Sequence, residues 1–453
     1  MRRASYDPVH TAPSGPSLLE RGLSLLAEVR EGEGVTALLL MLNVFLLLLA
    51  YYILKTVREP LILTGGGAEV KSYSSAGQAL LLMFIVPLYG SLASRFRRIR
   101  LINTVTLFFV SNLVLFYFLA HLKVPLGVPF YLWVGIFNVL VIAQFWAFAN
   151  DLYTEEQGRR LFAIIGFGSS LGAVVGPKLA GWLFKPLGAY QLMLVAAGFL
   201  GISILVANWV NEREKRSGSP KNQPRGETPL GKEGGFQLVY KQRYLLLIAL
   251  MVLVLNFVNT TGEFMLGKTV SRSAQRAVAS GTSQGLTEAE MIGQFYSDFF
   301  FWVNLVGAAL QMFGVSRILK YLGVRGALWF LPIVAFGGYT LLSFLPILMF
   351  VRFTKILENS MDYSVQNTAR QALFLPTSRE AKYKAKAAID TFFMRTGDAL
   401  SALLVFVGTY LAFNVEKFAF INILVVILWL FLTVGIARQH RQLTSPVRAR
   451  VSA

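Results

Sequence analysis

Apolar stretches of roughly 20 residues, the length an α-helix needs to cross the hydrocarbon layer, recur along this chain from residue 35 to residue 437. Such runs leave little choice of fold. Hydrocarbon offers no water to the backbone, so only helices or closed barrels satisfy their own N–H and C=O groups there. The runs lie near 35–57, 72–94, 99–121, 130–149, 161–185, 190–210, 244–267, 291–315, 326–344, 346–375, 385–413 and 417–437. An apolar content of 55% and a mean hydropathy of +0.56 agree with that reading. The expected fold is an all-α polytopic membrane protein with twelve transmembrane helices in two six-helix bundles.

The net charge of +19 raises the question of a nucleic-acid partner, and its distribution answers it. Most Lys and Arg fall between the runs on the side of the two termini, and few fall on the other side. That asymmetry is the positive-inside pattern, so both termini are expected in the cytoplasm and no nucleic-acid surface is implied. Residues 1–34 are polar, with Pro and Gly, and lack the short apolar core of a signal peptide; they read as a cytoplasmic tail. Residues 211–243 contain the charged, Gly- and Pro-rich stretch NEREKRSGSPKNQPRGETPLGKEGG, which has the composition of a flexible linker. It separates a bundle over 35–210 from one over 244–437, and 438–453 forms a second tail. With no cysteine and only three scattered histidines, thiol chemistry and metal ligation are not expected, nor is a cofactor. No nucleophile elbow or His/Asp cluster points to an enzyme.

Charges inside the runs are the informative exceptions. Six basic residues (Lys55, Lys178, Arg352, Lys355, Arg370, Arg395) fall within predicted helices, as do Glu263, Asp298, Glu358, Asp362, Asp390 and Asp398. A charge at membrane depth costs about 2.5 kcal/mol or more unless it faces protein or a wet cavity. The stretch 351–398 concentrates them. Arg352, Lys355, Asn359, Asp362, Gln366 and Arg370 follow steps of three and four, which places them on one helix face. A solvated surface would carry the same stripe, but membrane-length apolar runs flank this one, so a water-filled pathway is expected. Some pairs are expected to be structural: Asp362 with an arginine, and Asp390 or Asp398 with Arg395.

Two internal signals concern architecture. Asn43, Lys55, Thr56 and Val57 recur at a constant offset as Asn256, Lys268, Thr269 and Val270, at equivalent places in the first helix of each half. A duplicated bundle with a midplane site fits that repeat. The stretch from Gly262 to Thr269 also satisfies the phosphate-loop spacing, which requires a strand before it and a helix after it. Here it ends an apolar helix, and its Lys-Thr is already explained by the repeat. In the fifth run, Gly168, Gly172 and Gly176 recur every fourth residue, a spacing that lets a second helix approach closely. The loop from Gly90 to Arg100 resembles a signature of the major facilitator superfamily: Gly90, Arg95 and Arg98 match, while Ser94 and Arg97 depart. Gly172, Gly176, Pro177, Ala180 and Gly181 resemble that superfamily's fifth-helix antiporter motif.

Four stretches resemble bacterial and plastid ADP/ATP translocases, relatives of the same superfamily. They are ILKTVREPLIL with GGGAEV (53–70), FWAFANDLYTEEQGRRLFAIIG (145–166), NFVNTTGEFML (256–266) and ENSMDYSVQNTARQALFLPTSREAKYKAKAAIDTF (358–392). The resemblance implies that Lys55, Arg58 and Glu59 occupy charged family positions in the first helix. In the tenth helix Arg370-Gln371 stands where the family has Lys-Glu, and LWVGIFN lacks the family's fourth-helix acid. The expected function is secondary transport of an organic anion, a nucleotide exchanged in the manner of ATP and ADP. Alternating access through a basic central cavity would carry it. Candidate binding residues are Lys55, Arg58, Glu59, Asn150, Glu263, Lys268, Arg352, Lys355, Arg370, Asp390 and Arg395. Arg suits two-pronged contact with phosphate, and Lys offers a point charge. Alternatives are a proton-coupled carrier titrating Glu263 or Asp390, and a membrane scaffold or sensor that keeps the fold without transport. The expected setting is a bacterial inner membrane, with the chain acting as a monomer.

Overall fold

The computed structural model describes residues 28–30, 32–93, 96–217 and 234–444. Most of both predicted tails, the linker segment 218–233, and Ser94 and Arg95 of the loop signature lie outside the described residues. Among those described there is no strand. Eight helices are long and apolar enough to cross a membrane, and several of these are two rods joined end to end. Gly67, Gly188 and Gly323 have φ of 76°, 80° and 66° with ψ near 180°, a conformation that costs a side chain heavily and glycine little. Dividing the rods at these glycines gives twelve helices among the described residues: α1 (34–66), α2 (68–93), α3 (Arg98–His121), α4 (Gly127–Leu152), α5 (155–187), α6 (189–217), α7 (Arg243–Ala279), α8 (288–322), α9 (324–344), α10 (348–373), α11 (381–410) and α12 (Val415–Thr444). A short linker helix, Gly235–Lys241, precedes α7.

The apolar runs fill two cores. One is built from residues between Ala37 and Val210. The other is built mainly from residues between Leu238 and Ile436 and borrows Tyr52, Ile62, Leu63, Ala68 and Tyr131 from the first half. Within the first half, the predicted glycine ladder sets the closest approach. A methyl placed on Gly168, Gly172 or Gly176 of α5 would stand 2.5, 2.5 and 2.8 Å from the carbonyl oxygens of Met41, Phe45 and Leu49 on α1. Gly397 of α11 meets Leu253, Asn256 and Phe257 of α7 in the same way, so each half packs a glycine face onto its own first helix. The repeat has a shared hydrogen bond too: Thr56 and Thr269 each donate to the carbonyl four residues back, at 2.8 Å. Gly262 to Thr269 is helical throughout, which removes the phosphate-loop geometry.

Helix α1 passes through Pro60 and continues to residue 66, nine residues beyond its predicted end. Helix α10 contains a π turn, Asp362–Gln366, and α11 contains two, Ala381–Ala385 and Ile389–Phe393. A π turn inserts an extra residue and rotates everything after it. Steps of three and four therefore do not keep one face across residue 362, and the predicted stripe divides there. At the end of the molecule where α1 begins and α12 finishes, Glu33 is clasped by Arg160 at 3.0 Å, by Gln157 at 3.1 Å and by the Arg30 N–H at 3.0 Å. Burial opposes the charge on Glu33, but these donors, Arg160 foremost, outweigh it and hold the carboxyl below its ordinary range.

Candidate functional site

Where the two halves meet, a cavity of about 150 Å3 is lined by charged and polar side chains. Helical spacing explains who arrives there. Lys55, Arg58 and Glu59 share a face of α1; Asn259 and Glu263 share one of α7; Asn359 and Tyr363 sit one turn apart on α10. The Gly67 bend turns the chain so that Lys71, Ser72 and Ser75 of α2 face back across it, with Tyr131 of α4 and Phe300 of α8 closing the wall.

The charges form a linked set. Glu59 is fully buried and holds Arg58 at 2.5 Å and Lys71 at 2.6 Å. Lys71 also lies 3.8 Å from Glu263, whose other carboxylate oxygen accepts from Asn359 Nδ2 at 3.0 Å. Behind the wall, buried Lys355 donates to Asn259 Oδ1 at 2.6 Å and to Glu358 at 3.0 Å, and the Tyr339 hydroxyl donates to the same Glu358 oxygen at 2.8 Å. Lys355 stands 3.7 Å from Glu263. Buried pairs of this kind resist disruption, because losing one partner strands the other in low dielectric. Arg58 additionally stacks on the Tyr131 ring at 4.3 Å.

Lys55 is the exception. Its ammonium lies 4.3 Å from the centre of the Phe300 ring and 5.4 Å from that of Tyr52, and among the described residues no carboxylate comes within ion-pair distance of it. The cavity is therefore lined or backed by Lys55, Arg58, Lys71 and Lys355 against Glu59, Glu263 and Glu358. With all seven ionised, one positive charge is left over, and it resides on Lys55.

The remaining sequence candidates stand away from this cavity. Lys268 pairs with Glu69 at 2.9 Å, one turn beyond the wall. Arg352 lies over the Phe295 ring at 5.4 Å. Arg370 reaches Asn367 at 3.4 Å, displaced by the π turn before it. Asp390 pairs with Lys386 at 2.6 Å, and Arg395 with Asp398 at 3.2 Å; both lie on α11 outside the lining. Asp362 forms no ion pair among the described residues. Asn150 is exposed at the last turns of α4. The sequence reading missed Lys71, Tyr131, Phe300 and Tyr363. For Lys71 the cue was present: a Gly-Gly-Gly bend followed by Lys, Ser and Ser on one face, which turns a residue counted as a loop charge inward.

Bonds between the halves cluster at one end. Lys178 meets Asp298 at 2.9 Å, the Ser297 hydroxyl donates to the Pro177 carbonyl at 2.7 Å, the Tyr52 hydroxyl donates to Asn304 at 2.8 Å, and Lys268 meets Glu69. Each of these lies in the half of the molecule away from the termini. The close approach of Gly181 to Ser297 lies there as well.

Comparison with known proteins places this geometry. The family model described as Major Facilitator Superfamily matches residues 35–361, and the one described as TLC ATP/ADP transporter matches residues 323–440. ADP,ATP carrier protein 1 of Chlamydia pneumoniae is 21% identical over 306 residues, 59% of this chain and 57% of that protein. The chain thus spans little more than half the length of that relative in the alignment. ADP,ATP carrier protein 1 of Rickettsia typhi is 20% identical over 497 residues, covering 92% of this chain and 95% of the relative. Among solved structures, a peptide transporter of the POT type in complex with sulfate superposes with a TM-score of 0.63 at 15% identity, over 94% of this chain and 99% of the other.

Proposed function

The chain belongs to the major facilitator superfamily, and from that premise we propose that it is a secondary transporter exchanging organic anions, nucleotides of the ATP and ADP kind. The observation that carries the reading is Lys55: a cation without a carboxylate partner among the described residues, held on two aromatic rings in a cavity between two halves. An anionic phosphate supplies what the site lacks. Arg58 and Lys71, already oriented by Glu59, add donors beside it, and Asn259, Ser72 and Ser75 offer neutral hydrogen bonds. At about 150 Å3 the cavity is smaller than pockets that enclose whole drug-sized ligands, about 300–1,000 Å3. In this reading the phosphate end seats among the cations and the rest of the nucleotide points toward the termini end, where none of the cross-bundle bonds named above lies.

The halves 35–210 and 244–437 rock about this site with 211–243 as the tether. The outer contacts, Lys178 with Asp298 and Ser297 with Pro177, part in the opposite state. With both termini in the cytoplasm, as the positive-inside pattern supports, this reading takes the state described as inward-facing. The names of the relatives, ADP,ATP carriers, support a nucleotide as cargo.

Radiolabelled ATP or ADP is taken up by cells expressing the chain and chased out by unlabelled nucleotide. Failure of every nucleotide tested removes that cargo and leaves the carrier. One observation favours a second reading, proton-coupled transport: Glu263 lies in the cavity between two lysines, where protonation would remove its share of the hold on both while Glu59 and Glu358 keep theirs. Uptake that collapses with the proton gradient, and not with removal of internal nucleotide, selects it.

A further inference from the structure

A second hollow lies wholly within the C-terminal half, at the end away from the termini, and shares no residue with the central cavity. Its volume is about 370 Å3. One wall is a face of α7 bearing Thr269, Arg272, Ser273 and Arg276, spaced three, one and three apart so that they stack along the helix. The opposite wall is the turn 346–348 between α9 and α10 and Glu416 in the first turn of α12. Neither arginine nor Glu416 forms an ion pair among the described residues. The central site needs none of these groups.

Depth and rim identify the occupant. Counting about 1.5 Å per residue, Arg272 and Arg276 stand roughly 7 and 14 Å beyond Gly267, where the apolar part of α7 ends. The headgroup layer is about 5–7 Å deep on each face, so Arg272 stands at its outer edge and Arg276, one turn further out, has a side chain long enough to reach back to it. Beside the hollow, Phe344, Leu345 and Met349 expose their side chains, an apolar rim next to the two arginines. Two arginines in register suit a phosphodiester, and a free carboxylate across from them suits an ammonium. We propose that this hollow binds a phospholipid with a phosphoethanolamine headgroup: phosphate on Arg272 and Arg276, ammonium on Glu416, and acyl chains along the Phe344–Met349 rim. The proposal is independent of the cargo of the central cavity.

Native mass spectrometry of the detergent-purified full chain, titrated with dioleoyl phosphatidylethanolamine, phosphatidylglycerol or phosphatidylcholine, tests it. The expected order is ethanolamine tightest, because glycerol lacks the cation and choline's methylated nitrogen cannot donate to Glu416. R272Q/R276Q weakens phosphatidylethanolamine binding by roughly tenfold or more. E416Q keeps phospholipid binding but abolishes the preference for ethanolamine over glycerol, which separates a specific loss from a misfolded protein. Unchanged binding in R272Q/R276Q with its melting temperature intact overturns the site. Equal affinity for the three headgroups overturns the assignment of Glu416. Displacement of the lipid by millimolar inorganic phosphate identifies a free-anion site instead and overturns the lipid.

Discussion

Replacing Lys55 by Met separates binding from stability in a way that its neighbours cannot. The Lys55 ammonium faces two rings and no carboxylate, so K55M strands no buried charge, and its straight apolar chain keeps the contact with Phe300. Stability should change by no more than about 2 kcal/mol, the scale of a desolvated cation–π contact. Lys71 lies 2.6 Å from Glu59 and 3.8 Å from Glu263. K71M removes one of the two cations holding a fully buried carboxylate, and breaking such a set costs about 3–5 kcal/mol. For substrate the order reverses in meaning: a charge-assisted hydrogen bond contributes about 1.5–3 kcal/mol, so K55M should weaken nucleotide binding about 10- to 150-fold in a protein that melts normally. Thermal melts in detergent give the first quantity, and the concentration dependence of uptake in proteoliposomes gives the second. K55M that transports with an unchanged half-saturation refutes the role of Lys55. K55M that melts as low as K71M refutes the reasoning from unpaired charge.

Gly172→Val places atoms where the Phe45 carbonyl oxygen and Leu48 stand 2.5 and 3.0 Å from a Cβ, so α1 and α5 must separate, at about 1–3 kcal/mol; a melt unchanged from wild type contradicts the packing. Because the chain has no cysteine, Gly181→Cys with Ser297→Cys gives a single possible disulfide at the outer contact; a Cβ on residue 181 would lie 2.9 Å from that of Ser297, so the two helices must ease apart by roughly 1 Å to reach the 3.5–4.5 Å a disulfide takes. Oxidation should stop uptake and a reductant restore it, and normal uptake by the cross-linked protein rules out separation of the halves at this point. The clasp around Glu33 should confer acid sensitivity: its folded carboxyl is held below the ordinary value of 4.5, so its contribution is complete above about pH 4.5 and is lost as pH falls through the lowered folded value. Melting temperatures of wild type and Glu33→Gln should converge toward low pH, and parallel profiles refute the clasp.

The fold was legible because its signals are long and redundant. Twelve apolar runs, a linker by composition and a glycine ladder each constrain many residues, and hydrocarbon permits few alternatives. The cavity was legible only in part. Lys55, Arg58, Glu59 and Glu263 were visible as charges in apolar surroundings, which has a physical cost that demands a reason. Arg370 met the same criterion, yet the π turn at 362–366 broke the periodicity that placed it with Lys355, and nothing in the local sequence announces such a turn. Lys71 was lost to the opposite error: a residue beside a turn looks exposed until the Gly67 bend folds it inward. Tyr131 and Phe300 were invisible for a simpler reason, since an aromatic in an apolar run carries no mark of which neighbour it will meet.

The charge balance of the cavity connects these particulars to the exchange proposed above. Six of its seven charged side chains belong to one linked set, so moving them together through the middle of the membrane shifts a neutral group. Lys55 is the remainder. An empty carrier must take that cation through the occluded state with only ring quadrupoles beside it, worth about 0.5–2 kcal/mol, against a burial penalty of several kcal/mol for an unpaired ion. A phosphate oxygen next to Lys55 cancels most of the difference. At about 1.4 kcal/mol per factor of ten in rate, even 3 kcal/mol of residual penalty makes the empty carrier turn over more than a hundredfold slower than the loaded one. Such a carrier releases one anion and waits for another before it returns. In the proposed reading, exchange then follows from the lack of a carboxylate partner for Lys55 among the described residues and requires no dedicated gate.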